Sequence, residues 1–189
     1  YKDEFLGPLW GTQGVGSTSN RPGARWFAQQ WKDTSTGNLW VFGGFGADTF
    51  GDVGFIGDLW KFEVSTGKWT FVRGQKQAYQ PAVCGTKGTE AAANEPGGRN
   101  DGITWIDSSG NLWMFGGYGS SCAGDTWSAT SNLWKYNVST GNWTWMSGPT
   151  AGDTAGTYGT LGTGSTSNFP GGRNAGSGYV NLIDSSGNL

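Results

Sequence analysis

The chain has 189 residues, with 12 Lys and Arg against 14 Asp and Glu, a formal net charge of -2 and no histidine. Nucleic-acid binders neutralise phosphates with clustered Lys and Arg; here the cations are scattered singly, and no apolar run reaches the roughly 18 residues that a helical bilayer span needs. Without histidine these residues cannot build Ser-His-Asp hydrolysis or most zinc sites.

Glycine is the commonest residue at 36, beside 12 Trp and 10 Phe. Gly in a helix interior costs about 1 kcal/mol against Ala, whereas short strands joined by Gly-rich turns use it freely. Disordered chains lack so many large apolar rings. The expected fold class is all-β.

In chain order, residues 1–24 read as the end of one unit and its connecting loop, because WGTQGVGSTSN (10–20) returns as YGTLGTGSTSN (158–168). Residues 25–98 form a unit with strands expected at 25–32, 38–42, 59–64 and 68–72, followed by a loop. Residues 99–172 repeat it, with strands at 99–106, 111–115, 133–138 and 142–146, and residues 173–189 open a further unit. The register is close to literal: Arg25, Arg99 and Arg173 fall at one position, as do Trp69 and Trp143, and Gly43-Gly44 answers Gly116-Gly117. TGNLWVFGG answers SGNLWMFGG, and DLWKFEVSTGKWTF answers NLWKYNVSTGNWTW. Gly and Asn stand where the short turns at 107–110 and 139–142 need positive φ. Runs such as LWKY and LWMF place apolar groups on both faces of a strand, which suits a sheet sandwiched between neighbours.

The Gly-Gly doublet, an aromatic in the third strand, a Trp opening the fourth and a Pro-Gly-Gly-Arg entry to the next unit together resemble the kelch repeat of the galactose oxidase/kelch-like superfamily. The resemblance covers essentially the whole chain. It implies a kelch-type β-propeller of about two complete four-stranded blades plus parts of two flanking blades, the fragment of a longer propeller whose further blades come from the same or another chain. A spacing of 74 residues between Trp60 and Trp134 exceeds the roughly 50 of typical kelch repeats, the surplus lying in loops. The family's copper enzymes use histidines, so no such site is expected here and no cofactor or metal is assigned.

Strand parity puts the long, dissimilar loops 45–57, 74–95, 118–131 and 148–168 at one end and the short turns at the other. Variation above a constant scaffold is how such proteins build binding surfaces, so a protein or glycan ligand is expected on the long-loop face, with no nucleic acid and no membrane insertion. Candidate binding residues are Trp127, which has no counterpart one unit earlier, with Asp125, Tyr118, Asp48 and Asp52. Asp in Gly-rich loops more often shapes turns, and Trp127 can equally pin its loop down. The three repeated Arg residues read either as braces for neighbouring loops or as ligand-facing groups.

Cys84 and Cys122 lie in loops of one end of one blade, so a disulfide is expected, with two free thiols as the alternative. Asn137 and Asn142 each begin an Asn-x-Ser/Thr sequon beside an outer turn and are candidate glycosylation sites. The reading that follows is an extracellular or cell-surface binding, adhesion or assembly module rather than an enzyme. The alternatives are part of a carbohydrate-active enzyme with its catalytic residues in other blades, and a cytosolic scaffold.

Overall fold

The structure, a computed structural model, describes residues 6–174. Most of the unit expected to open at residue 173 therefore lies outside the described residues. Among those described there are fourteen strands and no helix, arranged in four antiparallel sheets.

Two sheets have four strands each. The first runs in the order β2 (Gln29–Lys32), β3 (Leu39–Phe42), β6 (Gly57–Glu63), β7 (Lys68–Gln75). The second is its equivalent, β9 (Ile103–Ile106), β10 (Leu112–Phe115), β13 (Leu133–Asn137), β14 (Asn142–Ser147). The two sheets stack face to face. Trp31, Trp40, Phe42 and Leu59 from the first meet Leu112, Met114, Trp134, Tyr136, Trp143 and Trp145 from the second. Phe42 meets Trp143 edge-on at 5.5 Å between centroids, and Trp40 lies 6.1 Å from Tyr136. Burying each such side chain stabilises the fold by roughly 1.5–3 kcal/mol, so this seam is the main cohesive surface between the two units.

The first strand of each unit differs from the expected continuous run. Phe27 and Asp101, one unit apart, take φ of 54° and 55° and break it. Asp101 N donates to Phe27 O at 3.0 Å, which links the two breaks. The residues before each break form separate strands, β1 (Arg25–Trp26) and β8 (Arg99–Asn100). These pair with hairpins in the segments expected to be loops: β4 (Phe45–Ala47) with β5 (Val53–Phe55), and β11 (Tyr118–Gly119) with β12 (Ser128–Ala129).

The glycine doublets are joints between units. Gly44 N donates to Arg99 O at 2.8 Å, and Gly117 N donates to Arg173 O at 3.0 Å. A Cβ on Gly43 would lie 2.4 Å from Arg99 O, and one on Gly116 2.8 Å from Arg173 O. Both residues also hold positive φ, 64° and 70°, so no other residue fits the turn or the close approach.

Connectors complete each unit from outside. Residues 10–20 run along β7, with Ser17 and Trp69 exchanging backbone bonds of 3.0 and 3.2 Å. Residues 84–94 run along β14 in the same way, through Gly88 N to Trp145 O at 2.8 Å. Each connector thus packs on the four-stranded sheet that follows it in sequence.

Candidate ligand-binding face

Rings from three segments converge where the two short hairpins meet. In the first small sheet, Trp26 stacks on Phe45 with an interplanar angle of 5°, and Phe45 meets Phe55 edge-on at 5.3 Å. Trp127, from the second unit, crosses to this sheet and lies 4.9 Å from Phe55 and 6.1 Å from Phe45. Tyr79 from the following loop and Tyr118 of β11 close the group at 5.7 and 6.5 Å from Trp127. Trp127 therefore pins its loop across the junction of the units. It nonetheless remains 55% exposed, and Trp26 54%. Large rings held rigid by other rings, with half their surface bare, lose little entropy on meeting a partner.

Of the residues expected at a site, Trp127 and Tyr118 belong to this patch. Asp48 and Asp52 border it in a depression of about 350 Å³ that Tyr79 also lines. Asp48 is buried and fully engaged by backbone: its carboxylate accepts from Phe50 N at 2.7 Å, Asp52 N at 3.0 Å and Ala78 N at 3.1 Å. Asp125 accepts from Ser121 Oγ at 2.8 Å and Gly152 N at 3.0 Å. The Gly152 N–H, followed by the Ser121 hydroxyl, holds Asp125 below the usual carboxylate range. Both carboxylates brace a hairpin against the next loop. Burial, joined by the charge of Asp52, keeps Tyr79 in its phenol form above the usual pKa.

Phe45, Phe55, Tyr79 and Trp26 are the members of the patch that the expected site did not include. Trp26 shares with Trp127 the lack of a Trp one unit away, the one sequence signal that marks it. The other three are rings whose partners lie in another segment.

The repeated arginines brace the scaffold. Arg25 forms a two-pronged ion pair with Asp58, at 2.6 and 2.9 Å, and also donates to Gly43 O. Arg99 is fully buried and, among the described residues, pairs with no carboxylate: it donates to Asn132 Oδ1 at 2.7 Å, Thr130 Oγ1, and the carbonyls of Gly116, Ser120 and Pro96. Burial pushes its guanidinium down to about 9, so it stays charged at neutral pH. Arg173 donates its Nε to Gly171 O.

Cys84 and Cys122 are joined in a disulfide, with their Cα atoms 5.8 Å apart. The sequon amides both face the connector: Asn137 Nδ2 donates to Glu90 Oε2 at 3.1 Å and Asn142 Nδ2 to Glu90 Oε1 at 3.4 Å. Nδ2 is the atom to which a glycan bonds, so a glycan at either site would leave that amide a single N–H for Glu90. Among the described residues no three Asp, Glu or Cys side chains gather as metal ligands, and no helix is long and apolar enough to cross a membrane.

No family model and no curated protein matches the chain. A solved structure titled "Structure of YjhT" is similar at 17% identity and a TM-score of 0.43, over 71% of this chain. The chain spans 41% of that structure's length.

Proposed function

We propose that the chain is part of a kelch-type β-propeller, extracellular or at a cell surface, that binds a protein or glycan ligand through its long-loop face. The observation that carries this reading is the ring patch of Trp26, Phe45, Phe55, Tyr79, Tyr118 and Trp127. It is assembled from the small sheets and the loops beside them, whose side chains differ between the units, above four-stranded sheets that are alike. Trp127 and Trp26 are the anchors, because each is held by a neighbouring ring and half exposed. Aspartates that brace the hairpins leave this face rigid before a ligand arrives, and preorganisation of that kind raises affinity by lowering the ordering cost. The Cys84–Cys122 disulfide supports an oxidising compartment, since cytosolic thiols are kept reduced.

Glycan and protein arrays probed with the purified full chain test the proposal. Binding that Trp127→Ala weakens at least tenfold, a loss on the scale of an anchor residue, is the expected result. Binding that survives both Trp127→Ala and Trp26→Ala would place the ligand elsewhere and overturn this assignment.

A further inference from the structure

The connector 158–168 reproduces a joint that the molecule forms twice. In the first joint, Asn20 Nδ2 donates both to Val15 O in its own connector and to Trp69 O of β7, each at 3.0 Å. In the second, Asn94 Nδ2 donates to Thr89 O and to Trp143 O of β14, each at 2.9 Å. One amide thus folds the connector and fastens it to the outer strand of a unit. Backbone bonds follow in the same places, Ser17 with Trp69 and Ala91 N with Trp143 O.

The third connector is already folded for the same task. Thr157 and Phe169 exchange backbone bonds of 2.8 and 2.9 Å, as Leu9 does with Arg21 and Val83 with Glu95. Asn168 N donates to Ser165 O at 3.1 Å, matching Asn94 N to Ala91 O. Asn168 Nδ2 makes the inner bond, to Thr163 O at 3.2 Å. The left-handed glycine that lets the amide approach is present in all three, Gly11, Gly85 and Gly159, with φ of 59°, 61° and 60°. What differs is the outer side: Tyr158 is exposed where Trp10 and Cys84 are not, Asn168 is half-buried where Asn20 and Asn94 are buried, and among the described residues no outer strand lies against this connector.

The next joint is also continuous with an existing interface. Arg173 N donates to Thr130 O at 3.1 Å and Gly117 N to Arg173 O at 3.0 Å, as Arg99 N does to Ile56 O and Gly44 N to Arg99 O. The entry to a third unit is therefore seated on the second unit as the second is on the first.

We infer that the connector 158–168 is the receiving half of a third joint, and that its occupant is the outer strand of a further unit of this design. The recognised element is a strand with a Trp at the position of Trp69 and Trp143, whose backbone carbonyl meets Asn168 Nδ2. This rests on reading the chain as successive units of one design.

The test compares two proteins, the full chain and the full chain continued after Leu189 by a second copy of residues 113–172, by thermal unfolding and amide exchange. In the extended chain, Asn168→Ala is expected to lower Tm by as much as Asn94→Ala does, roughly 3–6 °C for losing buried hydrogen bonds. In the unextended chain it is expected to lower Tm by less than about 1 °C, with amides 158–168 exchanging faster than amides 84–94. An extension that becomes protected while Asn168→Ala stays without effect overturns this joint alone. An extension that never becomes protected overturns the reading as successive units, and the joint with it.

Discussion

The two units meet the same structural demands with different chemistry. At one position the first unit sets Asp58 against Arg25, whereas the second sets Asn132 against Arg99. Where Trp10 donates its indole N–H to Thr49 Oγ1 at 2.8 Å in the first, the equivalent pair in the second is the Cys84–Cys122 disulfide. The amide of Ala78 is held by Asp48, and that of Gly152 by Asp125, a carboxylate displaced by four residues within its hairpin. On the loop face the backbone bond is kept, Tyr79 N to Phe55 O at 2.7 Å and Asp153 N to Ala129 O at 2.8 Å, but the side chains diverge: the Phe55–Tyr79 ring contact gives way to the Asp153 carboxylate accepting from Ala129 N at 2.9 Å. The scaffold is constrained by the task each position performs, and the loop face is where the units are free to diverge.

The largest difference in charge between the equivalent sites lies at Asp58. Its carboxylate binds both prongs of Arg25 and accepts from Trp60 Nε1 at 2.6 Å, with both charged side chains nearly buried. Asp58→Ala leaves a buried cation alone and is expected to cost about 3–5 kcal/mol in denaturant unfolding. Asp58→Asn, which copies the second unit, should cost clearly less; an equal cost would mean that the two arginine sites are not equivalent.

The latch above each unit comes next. Cys84 and Cys122 close 38 residues of chain, and Cys84→Ser with Cys122→Ser is expected to cost roughly 2–4 kcal/mol.

Asn132→Asp is the reverse exchange, since it supplies Arg99 with the counter-charge that Arg25 has. It is expected to stabilise by about 1–2 kcal/mol at pH 7 through a charge-assisted bond. Burial pushes Arg99 down to about 9, so any pH dependence that it adds to folding is a rise confined to pH above about 9, and Asn132→Asp should reduce it in urea titrations. Tyr136, pushed up to about 12 by burial, works in the opposite direction at higher pH, where the unfolded chain ionises first.

The smallest expected effect on stability is that of Trp127→Ala, about 1 kcal/mol for a half-exposed ring. That leaves the fold intact for the binding test.

The sheets were largely legible in the sequence, because strand alternation and turn residues repeat within each unit. Residues 59–64 became Gly57–Glu63 and 142–146 became Asn142–Ser147. The break at Phe27 and Asp101 was not legible. Positive φ is not a local preference of Phe, and the bond that links the two breaks joins segments 74 residues apart. The hairpins at 45–55 and 118–129 were hidden by their glycines, which look like loop and instead let backbones close. The candidate site was legible at Trp127 and Tyr118 alone. Asp48 and Asp125 resemble ligand groups in a sequence because one amide that occupies each, Ala78 N and Gly152 N, belongs to another loop. Phe55 and Tyr79 meet Trp127 only across the junction of the units.

The most direct test of the account, that equivalent positions carry equivalent tasks, is to rebuild the second unit's latch as the first. The Tm of Cys84→Trp with Cys122→Thr is compared with that of Cys84→Ser with Cys122→Ser. In the first unit Trp10 stacks on Trp60 at 5.2 Å and meets Phe71 at 4.6 Å, and Trp134 and Trp145 stand in the corresponding places of the second. The account predicts that the Trp/Thr pair recovers at least half of the Tm lost in the Ser pair. A Trp/Thr protein no more stable than the Ser/Ser protein would contradict it, and would leave the disulfide as a feature of the second unit alone.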